Sequence, residues 1–154
     1  MTTKQTVAIN KTAEREKVLG GVMSNAAMAA RSTKVTFTLK YVKDKSFKDL
    51  LTGQAAKYDE FINRVRQTAA LNGAEIKEPG GVSRFFVETS IKLKLIRADN
   101  ARIAEMMIKG TTMGVIDLAR LLKRSPLADD CCLDLAKELL RFEEDKLHAL
   151  KYYL

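Results

Sequence analysis

Apolar residues recur every three or four positions along four long stretches of this chain, which is the spacing of one face of an α-helix. The first helix is predicted to begin at an N-cap, Thr12, and to run to about residue 41, after a loose lead-in over residues 1–11. The second is predicted to follow an N-cap at Ser46 and to end near Asn72, which precedes a glycine. Because the break between them is short and polar, these helices are expected to be antiparallel neighbours.

The connection between the second and third helices is predicted to be the longest in the chain. Pro79 and the two glycines after it are its strongest loop signal, and a short extra helix is expected over about residues 84–97. Such a connection must run the length of the bundle, roughly 37 Å for helices of about 25 residues, and about ten extended residues scarcely reach that far. Asp99 is the expected cap of the third helix, although the pattern leaves open whether residues 83–124 form one helix or two.

The third helix is predicted to stop at Ser125-Pro126, because proline cannot continue it, and the fourth to run to the end of the chain. The third helix is expected to carry Met106, Met107 and Met113 as adaptable core side chains, with a groove for a partner as the alternative. The pattern therefore predicts one all-α domain over residues 1–154, a four-helix bundle with a long crossover that contains a short extra helix.

The amino-acid composition agrees with an all-α fold and also bears on the cellular location of the protein. Helix-forming residues dominate, tryptophan is absent, and the chain has only two prolines. No uncharged apolar run approaches the about 18 residues of a membrane-spanning helix, and the polar N-terminus does not resemble a signal peptide. A cytoplasmic protein with no membrane partner is therefore expected, in which Cys131 and Cys132 stay reduced.

Two helices carry polar residues within their apolar stripes. Gln54 and Lys57 lie three residues apart on the second helix, and Glu143 and Lys146 lie three apart on the fourth. Residues with this spacing share a face, so each pair is expected to point into the interior. A buried charge costs several kcal/mol unless it is paired, so these four side chains are predicted to form one interior polar cluster.

Three segments near the C-terminus resemble known proteins: residues 108–117 (IKGTTMGVID), 140–144 (LRFEE) and 150–154 (LKYYL). They are similar to segments of small bacterial ferritin-like proteins of uncharacterised function, and the resemblance implies a ferritin-like four-helix bundle. In metal-binding members of that superfamily, the second and fourth helices each carry Glu-x-x-His. The matching positions here are Gln54-x-x-Lys57 and Glu143-x-x-Lys146.

A charged ammonium does not coordinate iron, and His148 is the only histidine of the chain. A di-metal site built on two Glu-x-x-His pairs cannot be completed from this set. We therefore predict no metal and no other cofactor, and we expect His148 to be an exposed residue near a helix end. The function predicted first is that of a non-enzymatic structural or interaction protein, a homo-oligomer and most simply a dimer, whose interior cluster replaces the metal.

Two alternatives stay open. One is a Dps-like nucleic-acid-associated protein, because the net charge of +8 is concentrated in residues 1–57, which hold eleven Lys or Arg against four Asp or Glu. The contacts expected for that role are Lys34, Lys40, Lys43, Lys45 and Lys48. The other is a small-ligand carrier or enzyme in which Lys57 or Lys146 is buried, has a lowered pKa and acts as a nucleophile or base.

Overall fold

The computed structural model describes residues 2–38, 42–79 and 99–154, and all the regular structure in these ranges is helical. The predicted all-α architecture is thereby confirmed. None of the described helices is both long enough and apolar enough to cross a membrane. The four helices are α1 (Thr3–Thr38), α2 (Lys45–Leu71), α3 (Asn100–Lys123) and α4 (Asp130–Lys151).

Contacts between α1 and α2 show that these two helices are antiparallel, as predicted. Near one end of the bundle Lys34 binds Asp59 at 2.7 Å, and near the other Arg15 donates to the carbonyl oxygen of Asn72 at 3.3 Å. The residue numbers therefore rise along α1 while they fall along the facing part of α2.

Contacts of α3 and α4 complete the order of directions. Arg64 of α2 binds Glu138 of α4 at 2.6 Å, and the Ser46 and Tyr153 hydroxyls lie 2.7 Å apart, so α4 is antiparallel to α2. Ile103, near the start of α3, packs with residues at the start of α2. The end of α2 and the start of α3 thus lie at opposite ends of the bundle, and residues 72–99 join them. The predicted extra helix over residues 84–97 falls outside the described residues.

Apolar side chains form two clusters along the bundle. The larger is built mainly from α1, α2 and α4 and includes Leu19, Met23, Tyr58, Phe61 and Leu139. The smaller lies where α2 and α3 begin and α4 ends, and includes Phe47, Leu51, Ile103, Met107 and Leu150. Burying an aliphatic or aromatic side chain of this size stabilises the fold by about 1.5–3 kcal/mol, so the two clusters hold the four helices together.

The first helix begins earlier than predicted. It starts at Thr3 rather than after Thr12, whose hydroxyl donates to the carbonyl oxygen of Ala8 within the helix. The start is marked by Thr2 and Gln5, because the backbone N–H of Thr2 donates to the Gln5 side chain at 3.0 Å in the manner of a capping box. The apolar period missed these turns because they are exposed and contact no core.

The cap of α2 also differs from the prediction. Asp44, not Ser46, is the N-cap, and its carboxylate accepts a hydrogen bond from the Phe47 N–H at 2.9 Å. Ser46 lies one residue inside the helix and contacts Tyr153 instead. The cap predicted for α3 is confirmed, because Asp99 accepts from the Arg102 N–H at 2.9 Å.

One predicted core residue of α3 is wrong. Met107 is buried, but Met113 is 67% exposed. The buried face of α3 includes Ile103, Met107, Thr111 and Leu118. In this turn of the helix the inward residue is the polar Thr111, and the apolar Met113 faces outward, so the apolar pattern chose the wrong residue.

The N-terminus of α4 is tied to α1 by charge. Asp129 is in the N-cap position, but its side chain makes no capping hydrogen bond. Its carboxylate binds Lys11 at 3.0 Å and also binds Arg15. The hydrogen bonds from Arg15 and Lys11 hold the pKa of Asp129 below its usual value.

Replacing Asp129 by asparagine is expected to lower the free energy of unfolding at pH 7 by about 1 kcal/mol, because these ion pairs are partly solvated. The pKa of Asp129 is lowered in the folded protein. The stabilisation is therefore complete above the ordinary aspartate value of about 3.9 and is lost as the pH falls through the lowered value. Urea unfolding of both proteins at pH 7 and at about pH 2 measures the difference.

The control is Asp145→Asn, an exposed position on the same helix, which should change the free energy by less than about 0.5 kcal/mol. Equal destabilisation by the two substitutions, or an undiminished effect of Asp129→Asn in acid, would contradict the assignment.

Candidate functional site

All four helices bring polar side chains into the interior, between the two apolar clusters. These residues are at most 5% exposed. They are Thr33 and Thr36 of α1, Gln54 of α2, Thr111 of α3, and Glu143 and Lys146 of α4. We refer to these six residues as the polar layer.

A hydrogen-bonded chain of three buried side chains runs from α4 to α2 and back. The Tyr58 hydroxyl donates to Oε1 of Glu143 at 2.7 Å, and Nζ of Lys146 donates to the Tyr58 oxygen at 2.9 Å. The ammonium also lies 4.8 Å from the centre of the Tyr58 ring, a cation–π contact. Tyr58 therefore connects the carboxyl and the amine of α4.

Burial pushes both charged groups of this chain toward their neutral forms. It raises the pKa of Glu143, and Lys146 and the Tyr58 hydrogen bond oppose that rise. It lowers the pKa of Lys146 to about 8, and Glu143 opposes that fall. Burial together with the Glu143 carboxylate raises the pKa of Tyr58, which keeps the hydroxyl protonated as a donor.

Several oxygen atoms of the polar layer have no hydrogen-bond partner among the described residues. They are Oε2 of Glu143, Oε1 of Gln54 and the hydroxyl oxygens of Thr33 and Thr111. Buried polar atoms in proteins are nearly always bonded. An unbonded buried oxygen is therefore a position that a polar group of a ligand could satisfy.

A cleft of about 740 Å³ opens between α1 and α3 and reaches Glu143 and Lys146 at its base. Its walls are rich in methionine and small side chains: Ala29 and Met28 on α1, and Met106, Gly110 and Met113 on α3. A Cβ atom added to Gly110 would meet nothing within 4 Å.

Toward the other end of the bundle the same two helices meet closely. Nδ2 of Asn25 donates to the carbonyl oxygen of Gly114 at 3.1 Å. A Cβ atom on Gly21 would lie 2.5 Å from Cδ2 of Leu121. These close contacts border the cleft, since Gly21, Asn25, Gly114 and Leu121 also belong to its lining.

The structure buries three of the four predicted interior residues and leaves the fourth half-exposed. Gln54, Glu143 and Lys146 are buried, but the side chain of Lys57 is 42% exposed and its Nζ binds Glu60 at 2.8 Å. The prediction for Lys57 is wrong because the inward stripe of α2 steps four residues from Gln54, to Tyr58. Tyr58 is a site residue that the sequence analysis did not identify. Its position four residues after Gln54, about one helical turn, was the available signal.

The donor set of the polar layer does not fit a di-metal site. It offers one carboxylate, one amide and hydroxyls, and the Lys146 ammonium would repel a cation. No group of three His, Cys, Asp or Glu residues that could hold a metal occurs in ranges 2–38, 42–79 and 99–154. His148 is exposed on α4, and Glu105 is exposed and binds Lys109 at 2.6 Å.

The lysines predicted to contact nucleic acid lie around the junction of α1 and α2. Lys34 binds Asp59 at 2.7 Å, and Lys45 binds Asp49 at 2.8 Å, so a neighbouring carboxylate offsets the charge of both. Lys43 and Lys48 are exposed, and Lys40 lies outside the described residues.

The two cysteines differ in their exposure to solvent. Cys131 is exposed and Cys132 is buried, with their sulfur atoms 3.8 Å apart. Burial is the main cause that raises the pKa of Cys132 to about 12. A thiol with so high a pKa is a poor nucleophile at neutral pH.

Neither the family models, nor the curated proteins, nor the solved structures compared with this chain give a match. Its function therefore has to be inferred from the chemistry of the interior residues.

Burial of Lys146 is expected to make stability depend on alkaline pH. Its pKa is about 8 in the folded protein, whereas an unfolded chain keeps a value near 10.4. Between these values the unfolded state binds more protons, so the free energy of unfolding rises with pH, by up to roughly 3 kcal/mol from this group. Lys146→Met should abolish this rise and should make the protein more stable at pH 7. Urea unfolding from pH 7 to about pH 10 measures it.

Lys57→Met is the matched control, since that lysine is half-exposed and paired. It should leave the pH dependence as it is in the unsubstituted protein. Two results would contradict the description of Lys146 as a desolvated cation. One is a free energy of unfolding that still rises with pH in Lys146→Met. The other is a loss of stability at pH 7 in that variant, as expected if the substitution broke an essential ion pair.

Proposed function

We propose that this protein is a ferritin-like bundle that has lost its metal site and binds a small molecule in the cleft between α1 and α3. The molecule is expected to have a largely apolar body and one polar head. The observation that carries this proposal is the buried chain of Tyr58, Glu143 and Lys146 at the base of a cleft lined by methionine.

The ferritin-like part of the proposal is supported by helix direction. α2 and α3 run parallel to each other and are joined by residues 72–99, so the connection leads from one end of the bundle to the other. Bundles with one such crossover are typical of ferritin-like folds. Glu143 and Lys146 lie in the second half of α4 and are buried in the bundle core, where ferritin-like di-metal proteins place their ligands.

Binding of a small molecule is supported by the size and composition of the cleft. Ligand pockets in proteins usually enclose about 300–1,000 Å³ and combine apolar walls with a few convergent polar groups. The cleft has about 740 Å³. The unbonded oxygens of Glu143 and Thr111 lie within the group of residues that lines it. Methionine side chains adapt to ligands of different shapes.

Nucleic-acid binding is less well supported, because Lys34 and Lys45 are already paired with carboxylates. Cytoplasmic location and dimerisation stay predictions of the sequence.

Filling the cleft should abolish ligand binding without harming the fold. Gly110→Leu places a side chain where the backbone leaves open space, and replacing a helical glycine should stabilise α3 by roughly 0.5–1 kcal/mol. We expect the affinity for Nile red, an apolar dye, to fall at least about tenfold, which is about 1.4 kcal/mol. Dye fluorescence during a protein titration measures the affinity.

The control is Gly53→Leu, since Gly53 lies on α2 away from the cleft and also has nothing within 4 Å of an added Cβ. It should bind the dye as tightly as the unsubstituted protein. Equal affinity in all three proteins would show that the dye does not enter the cleft. Equal loss in both variants would show an indirect effect. Either result contradicts the proposal.

A further inference from the structure

We propose that the ligand is an aldehyde or ketone and that Lys146 holds it by forming a reversible imine at the base of the α1–α3 cleft. This inference rests on the proposed function, because it requires the cleft to admit an apolar molecule. It adds the chemical class of the ligand and a covalent role for one side chain.

Lys146 differs from the other lysines of the described chain. It is the only buried one, at 4% exposure, whereas Lys34, Lys45 and Lys109 lie on the surface and bind carboxylates directly. Among the described residues, no carboxylate comes within 4 Å of its Nζ. A buried ammonium without a direct ion pair is costly, and such costs are typical of functional sites.

The surroundings of Nζ suit attack on a carbonyl carbon. Among the described residues, the amine makes one hydrogen bond, to the Tyr58 oxygen at 2.9 Å, and in its neutral form its lone pair is available to react. Its pKa of about 8 makes the neutral, nucleophilic form far more abundant at pH 7.5 than it is for a surface lysine with a value near 10.4.

Glu143 is placed to supply the proton that the reaction consumes. Its Oε1 accepts from Tyr58, while its Oε2 is buried, has no partner among the described residues and belongs to a side chain that lines the cleft. Burial raises the pKa of Glu143, which favours the protonated acid. Tyr58 touches both groups and acts as a positioning residue between them.

The step balances with these groups alone. The nitrogen lone pair of neutral Lys146 forms a bond to the carbonyl carbon, and the π-electron pair moves to the carbonyl oxygen. A proton passes from nitrogen to that oxygen, which gives a carbinolamine. Glu143 then protonates the hydroxyl, which leaves as water while the nitrogen lone pair forms the C=N bond. Amine, acid and carbonyl compound become a protonated imine, a carboxylate and one water molecule.

The product would also satisfy the electrostatics of the interior. It places a cationic iminium beside the newly formed carboxylate of Glu143, in a region of low dielectric where such an attraction is strong. Hydrolysis reverses the step, so the same residues would release the ligand. The methionine side chains of the cleft favour a carbonyl compound with an alkyl or aryl body.

The test uses the full-length protein, hexanal and sodium cyanoborohydride, which reduces an imine to a stable secondary amine. Peptide mass spectrometry then gives the labelling rate of each lysine. At pH 7.5 we expect Lys146 to be labelled at least about tenfold faster than Lys57, because its lowered pKa makes more of its amine neutral and because the cleft concentrates the aldehyde beside it. Glu143→Gln should slow labelling of Lys146 by about a hundredfold or more, as loss of a general acid does, and should leave Lys57 unchanged.

Gly110→Leu should also protect Lys146 from hexanal while surface lysines react as before, and Gly53→Leu should protect nothing. Labelling of Lys146 no faster than that of Lys57, or labelling that is unaffected by Glu143→Gln, would overturn the proposal. Circular dichroism of each variant shows whether the helices are retained, so that loss of folding is not mistaken for loss of chemistry.

Hexan-1-ol, which has the same chain length but no carbonyl group, separates this inference from the proposed function. If hexanol displaces Nile red and Lys146 is not labelled by hexanal, the cleft binds apolar molecules and the imine is refuted. If hexanol does not displace the dye and Lys146 is not labelled, both proposals fail. If labelling is fast and depends on Gly110, both are supported.

Discussion

Desolvation of the Glu143–Lys146 pair is the constraint around which this bundle is organised. Two ionisable groups on one face of α4 are removed from water in the middle of the core, where an isolated charge is unfavourable by several kcal/mol. Tyr58 is placed on α2 so that its hydroxyl meets both of them, at 2.7 Å and 2.9 Å. The two apolar clusters then lie to either side of the polar layer, and the cleft between α1 and α3 reaches it.

This arrangement differs from a metal site in the same kind of bundle. In a di-metal protein the cation compensates several carboxylates at once, whereas here a hydroxyl bridges one carboxyl and one amine. The hydrogen-bonded chain leaves Oε2 of Glu143 and the Thr111 hydroxyl without partners among the described residues. The interior therefore has a capacity for one more polar group.

Much of the fold follows from the period of apolar residues, because that period records which face of each helix is buried. The same period identified Gln54, Glu143 and Lys146 as inward polar residues. It failed for Lys57, since a stripe on a helix of 3.6 residues per turn can step by three or by four, and only the facing helix decides between them. It also failed at residues 3–11 and at Met113, where a regular helix is exposed. Tyr58 and the cleft depend on contacts between distant residues, which no single-chain pattern contains.

The N-terminus of α4 has a consequence for the way the protein folds. Asp129 gives its carboxylate to Lys11 and Arg15 instead of capping its own helix, while its carbonyl oxygen accepts the first backbone hydrogen bonds of α4. The ion pairs therefore join α1 to the start of α4 across more than a hundred positions of the chain. Because closing so long a loop has an entropic cost, these ion pairs form only when the two helices pack together.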